Sequence, residues 1–221
     1  MPRHLVSIAD LDRDEIVRIL DHGDRYWALA HEPVKKLVSL RGRTVINMFF
    51  ENSTRTRTSF EIAAKRLSAE AINISAASTS TTKGETLLDT ADNLEAMYPD
   101  AIVVRHSFGG AAAMLAREVS CAVINAGDGQ HEHPTQALLD ALSMRRAFGY
   151  IAGLKVAICG DVLHSRVARS NVGLLTMLGA EVRVVGPPTL MPTDVARWGV
   201  AVHHDLRQGI DGCDIVMMLR L

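Results

Sequence analysis

The sequence predicts an α/β protein made of two doubly wound parallel-sheet units. Two observations carry this. Short apolar runs, strand-like in length, recur from Thr44 onward, and between them lie segments with helical spacing. The stretch Gly149-Tyr150-Ile151-Ala152-Gly153 then interrupts the alternation, which restarts at Lys155. That break divides the chain into units 1–150 and 151–221. A length of 221 residues suits one large domain or two small ones, and 48% hydrophobic residues supply a sizeable core.

Composition also excludes several classes. A net charge of −1 gives no bulk attraction to nucleic acid or to a membrane surface. No apolar run approaches the ~20 residues of a membrane span, and Met1-Pro2-Arg3-His4-Leu5 lacks the apolar core of a secretory leader. Cys121, Cys159 and Cys213 are scattered through apolar segments, which suits buried thiols in a reducing cytoplasm.

In chain order, Ser7 or Asp10 is placed to cap a first helix running to about Ala30, with Ile16, Ile19, Leu20 and Tyr26 on its apolar side. A strand over 44–49 leads into Phe50-Glu51-Asn52-Ser53-Thr54-Arg55-Thr56-Arg57-Thr58-Ser59-Phe60-Glu61. Phe60, Ala63, Ala64 and Leu67 then fall at helical spacing, so Ser53-Thr54 sits at a strand-to-helix turn. The start of a helix leaves backbone N–H groups unpaired and partly positive. Hydroxyls, free amides and Arg55 converging there form a candidate phosphate site. The plainer alternative is an N-capped surface helix with a solvated arginine.

A short strand near 71–74 precedes a polar, aperiodic stretch from Ser75 to Thr86, which reads as an exposed loop carrying Lys83. A helix over 85–97 and a strand over 101–104 follow, the latter delivering Arg105 to a strand's carboxyl end, where open α/β sheets bind ligands. Next come a helix over 110–119 and a strand over 122–125. The Gly127-Asp128-Gly129 tract is a turn, and Pro134 suits the first turn of a helix. His133 then lies at the helix mouth, with Gln136 one turn on. His131-x-His133 is a weak zinc signal, because no third ligand stands at a telling distance.

After the break, the strand over 155–160 runs into Asp161-Val162-Leu163-His164-Ser165-Arg166 without a Gly-x-Gly-x-x-Gly fingerprint, which argues against NAD. A strand at Glu181–Val185, a Pro187-Pro188 loop, a short helix near Asp194 and a strand over 214–219 complete the chain, ending in Arg220. Arg169 shares a helical face with Arg166 but has no assigned task.

Five of these stretches together resemble the transcarbamoylases. Ser53-Thr54-Arg55-Thr56-Arg57 resembles their carbamoyl phosphate motif, and His133-Pro134-Thr135-Gln136 matches a second motif. Lys83-Gly84-Glu85-Thr86 followed by Leu87-Leu88-Asp89-Thr90 resembles the loop of the aspartate branch of the family rather than the ornithine branch. The resemblance implies that Ser53, Thr54, Arg55, Thr56, Arg105, His133 and Gln136 bind carbamoyl phosphate. Of these, Arg55, Thr56, Arg105, His133 and Gln136 are implied to be catalytic. It implies that Lys83 reaches a neighbouring subunit's site, with either Thr79 or Ser80 as the loop's hydroxyl contact, and that Arg166 and Arg220 hold L-aspartate. A cytoplasmic homotrimer with no cofactor or metal and no nucleic-acid or membrane partner is expected; a regulatory or partner-enzyme chain is not legible in the residues. The resemblance further implies that the second unit lacks its C-terminal part. The alternatives are ornithine transcarbamoylase and a non-catalytic carbamoyl phosphate-binding fragment.

Overall fold

The computed structural model describes residues 3–75 and 86–220. It contains two four-stranded sheets, every strand pair within them parallel. The first holds β1 (Thr44–Phe49), β2 (Glu70–Ser75), β3 (Ala101–His106) and β4 (Ala122–Asp128) in the order β2-β1-β3-β4. The second holds β5 (Lys155–Cys159), β6 (Glu181–Val185), β7 (Ala201–His203) and β8 (Ile215–Met218) in the order β7-β6-β5-β8.

Helices α1 (Arg13–Leu29), α2 (Thr54–Arg66), α3 (Leu87–Glu95), α4 (Ala111–Glu118), α5 (Pro134–Phe148), α6 (Arg166–Met177) and α7 (Leu206–Ile210) connect and flank the strands. Both faces of the central strands are covered, which is why β1, β3 and β5 are apolar on both sides, whereas Ile72 on β2 and Val216 and Met218 on β8 are exposed. On β1, Ile46 and Met48 join the cluster containing Leu94 and Leu115, whereas Val45 and Phe49 join the one containing Ala64. On β5, Val156 and Ile158 face a large cluster shared with α5 and α6, while Ala157 and Cys159 face Ile210 and Cys213. This is the period-two alternation of a strand buried on both sides.

The first helix ends where expected, at Leu29, but differs from expectation at its start. Ser7 and Asp10 cap a separate 3-10 turn, Ile8–Asp10, while Asp12 caps α1 through a reciprocal bond pair with Glu15. Leu11 intervenes in extended conformation, so the two pieces cannot fuse. Ile16 and Leu20 are buried in the cluster of the second sheet, but Tyr26 is exposed. Helix α1 is tied to α5 by Arg145, which donates to Asp21 and Asp24 at 2.8 and 2.6 Å. Strand β7 and helix α7 have no counterpart in the sequence reading. Both are very short, and the Gly199 and Gly212 turns around them hide any periodicity.

Strand order fixes where a ligand can enter. In the first sheet the chain leaves β1 toward β2 on one side and toward β3 on the other. In the second sheet the same divergence lies between β5 and β8. Crevices open at the carboxyl ends of strands at such points. Here both crevices face one another.

Candidate active site

A single cleft of about 910 Å³ occupies the space between the two switch points. From the first sheet it is lined by Glu51, Ser53, Arg55, Thr56 and Ser59 beyond β1, by Arg105 on β3, and by Gly129, Gln130, His133 and Gln136 beyond β4. From the second come Asp161, His164, Ser165 and Arg166 beyond β5, and Met218, Leu219 and Arg220 at β8. Thr54 opens α2 but its side chain is not part of the lining. Lys83, Thr79 and Ser80 lie outside the described residues. Arg169 faces a neighbouring pocket with Phe108 and His131, and stacks on Trp198.

Three helices start at this cleft, and two of them, α2 and α5, lack a side-chain cap. The N-cap side chains of α1, α3, α6 and α7 (Asp12, Thr86, Ser165 and Asp205) each accept a bond from their own helix's first turn. Ser53 at α2 and His133 at α5 make no such bond. The first-turn amides of α2 therefore keep their hydrogen-bonding capacity, whereas in α5 Pro134 has no N–H and the Gln136 N–H is bonded to His133 O at 3.0 Å, which leaves the Thr135 amide; the positive ends of both helix dipoles point into the same space.

Charge is concentrated beside them. Arg105 donates through Nε to Glu51 at 2.9 Å and through Nη1 to Ala126 O at 3.2 Å. Arg166 donates to the same Glu51 oxygen at 2.8 Å and to Gly129 O at 2.8 Å. Glu51 thus bridges two arginines that come from different sheets. Burial, then the nearby Arg166 charge, pulls the Arg105 guanidinium below its usual pKa. The His133 imidazole is pushed down to about 3, first by burial and then by the Arg105 and Arg166 charges. It is a neutral ring at physiological pH. Its Nδ1 lies 3.4 Å from Thr135 Oγ1, and Nε2 has no protein partner among the described residues.

Supporting contacts hold these groups in place. Ser170 Oγ, on α6, accepts the His133 backbone N–H at 2.9 Å and donates to Glu132, whose other oxygen accepts from Ser7 Oγ at 3.0 Å. Gln136 Nε2 donates to Asp140 at 2.9 Å, and Asn171 on α6 donates to the other Asp140 oxygen at 2.9 Å. Gly127, at φ +113°, passes directly beneath the arginine pair. A Cβ there would lie 3.1 Å from Arg166 Nε and 3.4 Å from Arg105 Nη1.

Glu51 and Gly127 escaped the sequence reading. Glu51 stood inside the motif, but nothing in a linear string says that it faces an arginine 115 positions away. The Gly127-Asp128-Gly129 tract reads as a turn, but Gly127 and Asp128 close β4 and only Gly129 enters the turn; making room for two guanidinium groups is a tertiary task of Gly127. Among the described residues, no group of three or more His, Cys, Asp or Glu side chains is placed to hold a metal ion, and no helix is long and apolar enough to cross a membrane.

Uncapped helix starts, paired arginines and a neutral imidazole between two doubly wound sheets give this α/β protein an interlobe cleft whose chemistry suits anionic ligands. Residues 3–146 match the family described as aspartate/ornithine carbamoyltransferase, carbamoyl-P binding domain. The chain is 63% identical over 219 residues to the aspartate carbamoyltransferase catalytic subunit of Caulobacter sp. (strain K31), covering 99% of this chain and 65% of that protein. It is equally 63% identical to the subunit of that name from Methylorubrum extorquens (strain PA1), of which it covers 70%. Among solved structures it resembles aspartate transcarbamoylase from Trypanosoma cruzi in complex with carbamoyl phosphate and aspartate, with a TM-score of 0.88 and 30% identity over 99% of this chain and 72% of that one. The M. jannaschii catalytic subunit gives a TM-score of 0.87 and 35% identity over 98% and 73% of the two chains. The chain belongs to the aspartate/ornithine carbamoyltransferase family. It spans about two thirds of the length of the curated relatives it matches, 65% for the Caulobacter sp. protein.

Proposed function

We propose that this chain transfers the carbamoyl group of carbamoyl phosphate to the amine of L-aspartate, giving N-carbamoyl-L-aspartate and phosphate, in de novo pyrimidine synthesis. The observation that carries this is one cleft lined on one side by Ser53, Arg55 and Thr56 and on the other by Arg166 and Arg220. A phosphate suits the first set, with its hydroxyls and helix start, and a dicarboxylate suits the second. The T. cruzi relative was crystallised with both substrates.

In this reaction the aspartate amine attacks the carbamoyl carbon, the new C–N bond forms, and the C–O bond to phosphate breaks. Ser53, Arg55, Thr56 and the free amides of α2, to which Thr54 contributes its place at the helix start, hold the phosphate. Arg105, His133 and Thr56 donate to the carbonyl oxygen as it gains charge. A neutral imidazole is suited to donate a hydrogen bond without adding a third cation beside two arginines. Loss of one such donor is expected to cost ~100- to 1000-fold in rate. Gln136 receives the carbamoyl nitrogen. Arg166 and Arg220 orient the aspartate carboxylates so that amine and carbonyl meet. No covalent nucleophile is required, and the departing phosphate takes the amine proton. Units 1–150 and 151–221 are thus the carbamoyl phosphate half and the aspartate half.

Lys83 is assigned to a neighbouring subunit's site, which calls for a closed ring, a homotrimer, in the cytoplasm. Mixing Lys83→Ala with Arg55→Ala tests this, since hybrid rings would then hold some intact sites. Regained activity is expected; exchange of subunits without any rescue contradicts the shared site. The activity itself is tested by assaying ureido product from carbamoyl phosphate with L-aspartate and, separately, with L-ornithine. Product with aspartate alone is expected. Product with ornithine alone, or phosphate binding without turnover, overturns it.

A further inference from the structure

Gln136 is held by an arrangement that dictates which end of its amide a ligand meets. Its Nε2 donates to Asp140 Oδ1 at 2.9 Å, one turn along α5. The other Asp140 oxygen accepts from Asn171 Nδ2 at 2.9 Å, and the same Nδ2 donates to Val167 O at 3.1 Å. Asn171 is fully buried, and its Oδ1 has no partner among the described residues. Both groups near its Nδ2 are pure acceptors, so the Asn171 amide has only one workable orientation, kept even though it orphans a buried oxygen. Asn171 meets the Asp140 carboxyl as an N–H donor, which favours the ionised form, while burial pushes the Asp140 pKa above the usual carboxylate value. An ionised carboxylate cannot donate. With Asp140 ionised, Gln136 keeps its NH₂ toward it, as in the 2.9 Å Nε2 contact, and its carbonyl oxygen toward the cleft that it lines.

We propose that Asp140, oriented by Asn171, is a positioning residue that fixes the polarity of the Gln136 amide, so that the cleft selects an acyl phosphate bearing an N–H donor (a carbamoyl group) over one bearing a methyl (an acetyl group). The inference rests on the proposed carbamoyl phosphate site. An acetyl phosphate would leave the Gln136 oxygen desolvated and unpaired, and discrimination by an unpaired group is stronger than discrimination by size.

Two stable probes isolate this term: phosphonoacetamide and its methyl ketone counterpart, phosphonoacetone, which differ only in NH₂ against CH₃. Inorganic phosphate serves as the third ligand. Calorimetry on the purified chain is expected to show a preference for the amide of roughly tenfold or more. In Asp140→Asn the neighbouring amide can donate as well as accept, so that preference is expected to collapse to about twofold while phosphate affinity stays unchanged within about twofold. Asn171→Ala, which frees Asp140 from one side, is expected to move the ratio in the same direction by a smaller factor, and decides the matter if Asp140→Asn does not fold. An unchanged amide-to-ketone ratio in the variant overturns the proposal, as does a parallel loss of all three ligands or a wild-type chain indifferent to the NH₂ group. A wild-type chain that binds neither phosphonate nor phosphate instead overturns the carbamoyl phosphate site on which the proposal rests.

Discussion

His133 shows how far the surroundings can move a single side chain. Its pKa is depressed from 6.5 to about 3 by burial and by the Arg105 and Arg166 charges. Between those values the unfolded chain takes up a proton that the folded chain refuses. Stability therefore rises with pH across that window, is fully expressed above about 6.5, and is lost as the pH falls. The slope approaches ~1.4 kcal/mol per pH unit. Urea unfolding at pH 7 and pH 5 is expected to show wild type losing up to about 2 kcal/mol more than His133→Asn; equal losses would mean that His133 protonates freely in the fold. Glu51 makes a second residue-scale case. It neutralises two arginines that line the cleft, at 2.9 and 2.8 Å. An incoming phosphate competes with it, so Glu51→Gln is expected to tighten inorganic phosphate binding, by several-fold in calorimetry at low salt. Weaker binding would mean that Glu51 chiefly holds the arginines in position.

At the scale of the element, the strands and helices follow from local physics. The strand at Thr44–Phe49, the helix after Ser53, Pro134 in the first turn of α5 and the strand at Glu181–Val185 were all legible, because apolar runs and end signals coincide there. What the string did not reveal was the break between the first 3-10 turn and α1, the short β7 and α7, and which helix starts are left uncapped. Ser53 is a favoured capping residue, yet its side chain makes no capping bond. That restraint is visible only in three dimensions. The end of β4 is equally tertiary. At φ +113° beneath Arg105 and Arg166, position 127 accepts nothing larger than glycine without strain. Gly127→Ala is expected to reduce stability by about 1–3 kcal/mol and, by displacing both arginines, to weaken phosphate binding at least about tenfold. Unaltered phosphate affinity would show that the arginines have room to spare.

At the scale of the whole molecule, two sheets with matching switch points meet over one cleft, and α5 and α6 pack together to keep them in register. Arg55 and Arg166 line it from opposite lobes. Arg55→Ala is expected to abolish phosphate binding; Arg166→Ala is expected to spare it while removing any gain from an attached dicarboxylate. The central claim, that one cleft holds both the phosphate and the aspartate at bonding distance, is tested most directly by calorimetry with N-(phosphonacetyl)-L-aspartate against phosphate alone and succinate alone. Joining the two fragments is expected to raise affinity over phosphate by ~100-fold or more, since the second contact becomes intramolecular. An analogue that binds no tighter than phosphate would contradict a shared cleft for the two substrates.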